Sequence, residues 1–424
     1  MYNKTATAKM NNYAIIIVEV IKVEHIVVIG GGAAGLISAI HAKTDTNKVT
    51  ILEKNQSCGK KILATGNGKC NYWNQDQNIS HYHSTTKHLL DEIITKTTKE
   101  EAITFFNNLG IIPKIKNGYF YPFSNQATTI KNALVNEANR KKIDIKHNFI
   151  VTDITKEDIF IIKSKTEIIK ANKVIIATGS KASPKTGSDG FGYHLLKKMG
   201  HSVINPLPAL VQLKTTGNYL KEWKGIRTDV KVSLYENDQF IKEETGEIQL
   251  TDYGISGICV FNLSRYVSIG LSQSKKEEVK INFLPFLNSE EQKLSMLFKN
   301  NYPIKEQLEG ILNNKLVDVI LKQTNINENK TYSALSSYEQ NLLTKYLTEF
   351  KISVIGTNSF DQAQICTGGI PLTEINTTTM ESKIIKDLYI VGELLDVDGD
   401  CGGYNLSFAW ISGILAGKGS RKND

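Results

Sequence analysis

The chain has 424 residues, of which 41% are hydrophobic and 22% charged, and it carries a formal net charge of +8 at pH 7. This length suffices for two to three domains, and the composition excludes collagen-like, low-complexity and disordered proteins. The longest apolar stretch, residues 14–28, is broken by Glu19, Lys22 and Glu24, so no membrane span is predicted. The five cysteines form no CxxC pair, which predicts neither a disulfide framework nor a metal site and favours a cytoplasmic location.

A dinucleotide-binding turn is predicted where an apolar run, residues 25–29, ends in a glycine-rich segment, residues 30–35. Gly30 permits the tight turn, Gly32 lets backbone amides approach a pyrophosphate, and Gly35 lets the following helix pack on the strand. A second strand, residues 49–52, ends in Glu53, whose carboxylate is expected to accept hydrogen bonds from a ribose.

Two later segments resemble signatures of flavoproteins that have two dinucleotide-binding domains. Residues 173–179 predict a buried strand that ends in Ala177-Thr178-Gly179, and residues 388–393 predict a strand that ends in Gly392-Glu393. Glu393 is expected to meet the ribityl chain of FAD. The three signatures in this order favour FAD, bound non-covalently, over the NAD of a plain dehydrogenase.

The segments between these signatures predict strands and then helices. An antiparallel meander is predicted from residues 145–154, 159–163 and 167–171, and a small antiparallel barrel from residues 229–235, 239–243, 247–251 and 279–284, with a hairpin turn at residues 244–246. From residue 288 to 350 the apolar period becomes helical, with capping boxes at Asn288/Glu291 and Ser337/Gln340 and Pro303 near a helix start.

A resemblance to a known family covers nearly the whole chain, from about His25 to Gly417. The motifs that carry it are residues 53–55, 59–71, 184–188, 254–257, 368–369, 379–383, 392–399 and 402–406. These motifs closely resemble the BaiN/YhiN-type (aminoacetone oxidase-like) family of FAD-dependent oxidoreductases.

The resemblance implies an α/β fold: a discontinuous Rossmann-like FAD-binding domain, of the two-dinucleotide-binding-domain flavoprotein type, with an inserted antiparallel β-barrel and a small helical subdomain. The expected boundaries are an extension at 1–23, the FAD-binding domain at 24–200 and 359–424, the barrel at 201–286 with a return strand at 351–358, and the helical insertion at 287–350.

Most of the residues expected to bind FAD come from these motifs. Residues 402–406 predict a glycine-rich start of a helix, whose backbone amides are expected to face the edge of the flavin ring. The residues expected to bind FAD are Gly30, Gly32, Ala33, Ala34, Gly35, Glu53, Lys54, Lys61, Thr65, Gly66, Asn67, Gly68, Cys70, Asn71, Val151, Ala177, Thr178, Gly179, Gly392, Glu393, Gly402, Gly403, Tyr404, Asn405 and Leu406. Cys70, Cys401 and Tyr404 are candidate proton donors, with packing as the alternative role for each.

The leading hypothesis is a flavin enzyme that moves hydride between FAD and an unsaturated or amine/ketone-type substrate. No second GxGxxG motif occurs, so NAD(P)H is expected to bind only transiently as the donor. Family members act on a bile acid intermediate, an amino-ketone and uridine in ribosomal RNA, and the basic charge favours RNA slightly over a small molecule. The alternative is a non-catalytic, FAD-bound scaffold or RNA-binding factor; no DNA or membrane partner is expected.

Overall fold

The computed structural model describes residues 23–287, 297–298 and 301–421. Within them the strands are, in chain order, β1 (Glu24–Ile29), β2 (Asn47–Leu52), β3 (Trp73–Asn74), β4 (Tyr82–His83), β5 (Pro113–Lys116), β6 (Tyr119–Pro122), β7 (Asp144–Lys146), β8 (Asp153–Lys156), β9 (Phe160–Lys163), β10 (Ile168–Ala171), β11 (Lys173–Ile176), β12 (Ile204–Ala209), β13 (Leu213–Thr215), β14 (Arg227–Glu236), β15 (Gln239–Leu250), β16 (Gly254–Ser256), β17 (Glu277–Asn282), β18 (Phe350–Thr357), β19 (Ile365–Gly369), β20 (Leu388–Ile390) and β21 (Asp398–Gly399). The helices of the same residues are α1 (Ala33–Ala42), α2 (Leu90–Ile93), α3 (Lys96–Asn108), α4 (Ala127–Arg140), α5 (Phe191–Lys198), α6 (Ile258–Ser272), α7 (Ile304–Glu309), α8 (Asn314–Thr324), α9 (Ser337–Thr348) and α10 (Tyr404–Gly419).

The central sheet is parallel and has the order β20-β11-β1-β2-β7. Residues 26–29 of β1 are buried, as expected for a strand with both faces covered. Helices α1 and α10 pack against each other beside this sheet. Because β1 and β20 come from opposite ends of the chain, the predicted discontinuous Rossmann-like fold is confirmed. None of the described helices has the length and apolar character needed to cross a bilayer.

The prediction that residues 145–154 form a single strand of the meander is wrong. It contains β7, which pairs in parallel with β2, and the beginning of β8, which pairs with β9 in the three-stranded antiparallel meander β10-β9-β8. Asn148 adopts a left-handed conformation (φ 56°) that ends the extended path. The next residue, Phe149, then donates its amide to the carbonyl of Glu53, so the intervening loop crosses the end of β2.

A second sheet closes into a six-stranded antiparallel barrel in the order β13-β16-β15-β14-β17-β18, which confirms the predicted barrel. The hairpin turn predicted at residues 244–246 is wrong, because β15 runs without interruption through them and Gly246 lies opposite Val230. The turn is Asn237-Asp238, where both residues have positive φ (48° and 65°), the geometry of a type I′ turn. Sequence analysis missed this Asn-Asp signal.

Helices α7, α8 and α9 lie between β17 and β18, and their apolar residues share one core with the barrel. Pro303 precedes the first residue of α7, as predicted. The capping box predicted at Ser337/Gln340 is wrong by one residue: Ser336 caps α9 and pairs with Glu339. The box predicted at Asn288/Glu291 lies outside the described residues.

Candidate active site

A cavity of about 1050 Å³ lies at the carboxyl ends of β1, β2 and β11, where ligands bind in open parallel sheets. Most residues of the predicted site line it, and they are Gly30, Gly32, Ala33, Ala34, Glu53, Lys54, Lys61, Thr65, Gly66, Asn67, Asn71, Val151, Ala177, Thr178, Gly179, Gly392, Glu393, Cys401, Gly402, Gly403, Asn405 and Leu406. Four of the predicted residues are not part of its wall: Gly35, Gly68, Cys70 and Tyr404.

The glycine turn between β1 and α1 has two kinds of glycine. A Cβ on Gly35 would overlap the carbonyl oxygen of Gly30, and a Cβ on Gly30 (φ 104°) would overlap that of Ala177, so both positions require glycine for backbone packing. A Cβ on Gly32 would have nothing within 4 Å and would project into open space. The turn therefore leaves room for a ligand directly before α1, whose first amides attract an anion.

Glu53, at the end of β2, is buried and holds this turn in place. Its Oε2 accepts a hydrogen bond from the amide of Gly31 at 2.8 Å, and its Oε1 accepts bonds from the backbone and side-chain amides of Asn55, both at 2.7 Å. The contact with Gly31 was not part of the sequence prediction. It couples the two loops that border the cavity at the ends of β1 and β2.

The loop at residues 59–71 contains two short 3₁₀ turns within Ile62–Gly68, separated by a kink at which Gly66 and Asn67 are left-handed. This conformation carries the chain back toward α10. The carbonyl oxygen of the Asn71 side chain is buried and has no hydrogen-bond partner among the described residues. It lies near Gly403, where an added Cβ would be 3.0 Å from it.

Glu393 forms an ion pair with Lys61, with 2.6 Å between the carboxylate and the ammonium nitrogen. The hydroxyl of Ser180 donates to the same carboxylate oxygen at 2.8 Å. These contacts join Lys61, Ser180 and Glu393, which are more than 100 residues apart in the chain, and Lys61 and Glu393 line the cavity. Because both charges are satisfied by each other, neither contributes a free charge to the cavity.

Helix α10 begins at the cavity, after Gly402 and Gly403, which have positive φ values of 147° and 97°. The side chain of Asn405 bonds both the amide and the carbonyl of Gly399, at 2.8 Å each, and so fixes the loop that precedes the helix. The positive end of the helix dipole therefore faces the cavity.

A network of titratable side chains surrounds Asp400, next to this helix start. Its two carboxylate oxygens bind His81 at 3.1 Å and His83 at 3.0 Å. Burial would raise the pKa of Asp400, but the hydrogen bond from His83 and the charge of Lys242 hold it below its ordinary value. Asp400 is therefore an ionised group in the cavity wall rather than a proton donor at neutral pH.

A family model described as the HI0933-like protein Rossmann domain matches residues 24–419. The chain belongs to the HI0933-like family. This is a Rossmann-type family of FAD-dependent oxidoreductases, so the resemblance noted from the motifs is confirmed.

Three relatives align with this chain over nearly the whole length of both proteins. The 3-dehydro-bile acid delta(4,6)-reductase of Clostridium scindens is 39% identical over 92% of this chain and 97% of its own. The ribosomal RNA dihydrouridine synthase of Haemophilus influenzae is 28% identical over 91% of this chain and 96% of its own. The ribosomal RNA dihydrouridine synthase of Escherichia coli is 27% identical over 91% of this chain and 95% of its own.

The cavity wall fits the FAD that the HI0933-like family implies. The open space beside Gly32 suits a pyrophosphate at the start of α1. The Asn71 oxygen and the hydroxyl of Thr178 are buried polar atoms without a partner among the described residues. A buried polar atom left unpaired costs about 1–3 kcal/mol, so both atoms are suited to bond a polar ligand that the cavity holds.

The three candidate proton donors differ in access to the cavity. Cys70 is fully buried, and burial raises the pKa of its thiol to about 12. Tyr404 stacks on His81, with ring centroids 4.5 Å apart. Only Cys401 lines the cavity, and burial raises the pKa of its thiol to about 11.

Sequence analysis missed the hairpin of β5 and β6, which supplies Lys114, Lys116, Tyr119 and Tyr121 to the cavity wall. The available signal was the dipeptide Asn117-Gly118, whose positive φ values of 51° and 80° form a type I′ turn. Burial raises the pKa of both tyrosines, so their phenols are protonated at neutral pH. The hairpin therefore adds two weak acids and two cations to the site.

Proposed function

We propose that the protein is an FAD-dependent reductase that uses NAD(P)H to saturate a carbon–carbon double bond conjugated to a carbonyl group. Two kinds of family relative support this reaction class, because both names describe the saturation of a ring: a bile acid delta(4,6)-reductase and a dihydrouridine synthase. The observation that carries the proposal is one continuous cavity, which extends from the glycine turn at α1 past the start of α10 to α6. Its volume of about 1050 Å³ is at the upper end of the range for ligand pockets, which suits a cofactor together with a substrate.

The chain's own residues supply binding and a proton. Gly30, Gly32 and the first turn of α1 hold the pyrophosphate, and the amides that begin α10 stabilise negative charge at the opposite end. Bound FAD supplies the hydride chemistry. The saturated product also needs a proton, which the chain holds at the hydroxyls of Tyr119 and Tyr121 and at the Sγ of Cys401, the weak acids of this wall.

The test begins with the visible spectrum of the purified protein and identification of the cofactor released by heat. The FAD-loaded protein is then titrated without oxygen with NADH and with NADPH, and the reduced form is mixed with a 3-dehydro bile acid that retains a ring double bond, or with uridine-containing ribosomal RNA. We expect bleaching by one nicotinamide, reoxidation by one of the two substrates, and a product heavier by two hydrogens.

Three results would contradict the proposal. A protein that takes up no FAD is not an FAD-dependent enzyme. A flavin that neither nicotinamide bleaches indicates a scaffold, and a reduced flavin that only oxygen reoxidises indicates an oxidase.

A further inference from the structure

The hairpin of β5 and β6 presents one basic and aromatic face to the cavity. Lys114 lies opposite Tyr121, and Lys116 lies opposite Tyr119, in the antiparallel pairing. Residues directly opposite each other project from the same side of a sheet, and alternate residues of one strand share that side. All four side chains therefore belong to one face, and all four residues line the cavity, with the lysines exposed and the tyrosines partly buried.

The two lysines have no carboxylate partner among the described residues. No described Asp or Glu oxygen lies within 4 Å of either ammonium group. The acidic side chains of the cavity wall bind other groups of the chain, and they are Glu53, Asp189, Glu393 and Asp400. The hairpin thus leaves two exposed positive charges at the cavity wall that are free to pair with a bound anion.

These lysines are placed away from the turn that suits the pyrophosphate. A Cβ added to Gly66 would lie 3.4 Å from the ring of Tyr121, and a Cβ added to Gly402 would lie 3.1 Å from the ring of Tyr119. The hairpin also pairs with β3 through Trp73 and Asn74. It therefore lies against the start of α10 rather than the start of α1, at the end of the cavity away from the glycine turn.

The wall near the same helix start also has an apolar side. Leu210 and Ile365 are buried together, and Phe261 and Cys401 pack on them. Leu210, Phe261 and Ile365 line the cavity, as does Ile258, which is half-exposed. An apolar wall and a basic hairpin therefore border the same region.

From this placement we infer that Lys114 and Lys116 form an anion-binding subsite that selects substrates with a carboxylate. The apolar ring body of the substrate packs on Leu210, Phe261 and Ile365 while its carboxylate binds the two ammonium groups. This inference rests on the proposed function, because it names the substrate class of the same cavity. Charge-assisted bonds of this kind give about tenfold or more in affinity.

The test measures binding rather than turnover, so it remains informative if the proposed reaction is wrong. Equilibrium dialysis of the FAD-loaded protein compares a 3-dehydro bile acid as the free acid and as its methyl ester. We expect the acid to bind about tenfold more tightly, and the double variant K114Q/K116Q to lose that preference while it binds the ester unchanged. The matched control is K141Q/K142Q, which removes two lysines that lie outside the cavity wall. FAD content reports whether each variant is folded.

Several results would overturn the subsite. Equal affinity for acid and ester in the unmodified protein, or a preference that survives in K114Q/K116Q, would remove the role of the lysines. Binding of neither steroid, or binding only of a uridine-containing RNA oligonucleotide, would reject the carboxylate substrate. Loss of the preference in K141Q/K142Q as well would show a general charge effect.

Discussion

The two glycines of the first turn, Gly32 and Gly35, differ in what an added methyl group would meet. At Gly35 it would overlap the backbone of Gly30, whereas at Gly32 it would enter the cavity. We predict that Gly35→Ala destabilises the protein without FAD by more than about 3 kcal/mol, because overlap with backbone cannot be relieved by a side-chain rotation.

Gly32→Ala is the matched variant with the opposite expectation. The backbone at this position (φ −78°, ψ −165°) suits alanine, so the unfolding temperature without FAD should stay unchanged. FAD affinity should fall by about tenfold or more, because the methyl group fills space that the pyrophosphate needs. Thermal unfolding without FAD and a fluorescence titration with FAD measure the two effects. Normal FAD affinity in Gly32→Ala would show that the pyrophosphate binds elsewhere.

A buried carboxyl group in the barrel predicts a pH dependence of stability. Glu277 is 2% exposed and lies opposite Glu236 in the pairing of β14 with β17. Burial and the neighbouring Glu236 carboxylate raise the pKa of Glu277 from 4.5 to about 7. Since the folded state then holds a proton that the unfolded state releases, stability falls as the pH rises from about 4.5 to about 7.

We predict that Glu277→Gln is more stable than the unmodified protein by about 1–3 kcal/mol near pH 8, with little difference near pH 5. Denaturant unfolding at both pH values measures this. The exposed glutamate Glu100, changed to Gln, is the control and should show no such gain. An equal effect of Glu277→Gln at both pH values would contradict a raised pKa.

The sequence predicted residues whose role follows from local geometry and missed those whose role depends on distant contacts. Gly30 and Gly35 are recognisable because the turn that needs them lies within one strand and one helix. Lys114 and Tyr119 reach the cavity only because β6 pairs with β3 and contacts Gly402, and no local pattern encodes that contact. The pairing of Glu277 with Glu236 likewise joins strands that are 40 residues apart in the chain.

At the scale of the element, the start of α9 shows how a cap fixes a helix boundary. The hydroxyl of Ser336 accepts a hydrogen bond from the amide of Glu339 at 3.2 Å, and the Glu339 carboxylate accepts one from the amide of Ser336 at 2.8 Å. Two amides that the helix cannot satisfy are thereby paired.

We predict that Ser336→Ala lowers the free energy of unfolding by about 1 kcal/mol, since it removes one of these bonds. Ser337→Ala is the matched control: Ser337 is the first residue inside α9, so its change should be within about 0.5 kcal/mol of zero. Denaturant unfolding of the three proteins decides this. A larger loss for Ser337→Ala would place the cap where the sequence pattern put it.

Strands that have a clear apolar run in the sequence were predictable. Strands whose bounds depend on which other strand they pair with were not. The strands at residues 25–29, 49–52 and 173–176 have apolar runs that end at glycine or a carboxylate, and each was recognised. Strand β7 was merged with β8 because both are short, and only its parallel pairing with β2 separates them. Strand β15 was divided at Gly246, because glycine in a long strand resembles a turn until the partner strand is known.

On the scale of the whole molecule, the described residues form two large apolar cores that are linked by an ion pair. One core contains the central sheet, α1 and α10, and the other contains the barrel with α6 to α9. Arg265 on α6 connects them, because its Nε donates to the Asp398 carboxylate at 2.7 Å. The Arg265 and Asp398 side chains are 15% and 2% exposed, so the pair is largely removed from water.

We predict that Arg265→Met lowers the free energy of unfolding by about 3–5 kcal/mol, because it leaves the Asp398 carboxylate buried without its cation. The second change in R265M/D398N removes that stranded charge and should restore a large part of the loss. Arg227→Met is the control, because its partner Glu247 is exposed and such pairs contribute only about 0–1 kcal/mol. Denaturant unfolding without and with FAD measures all three variants. If Arg265→Met costs no more than Arg227→Met, the two cores are held together by apolar contact and by the cofactor, and the ion pair serves only to orient α6 beside the cavity.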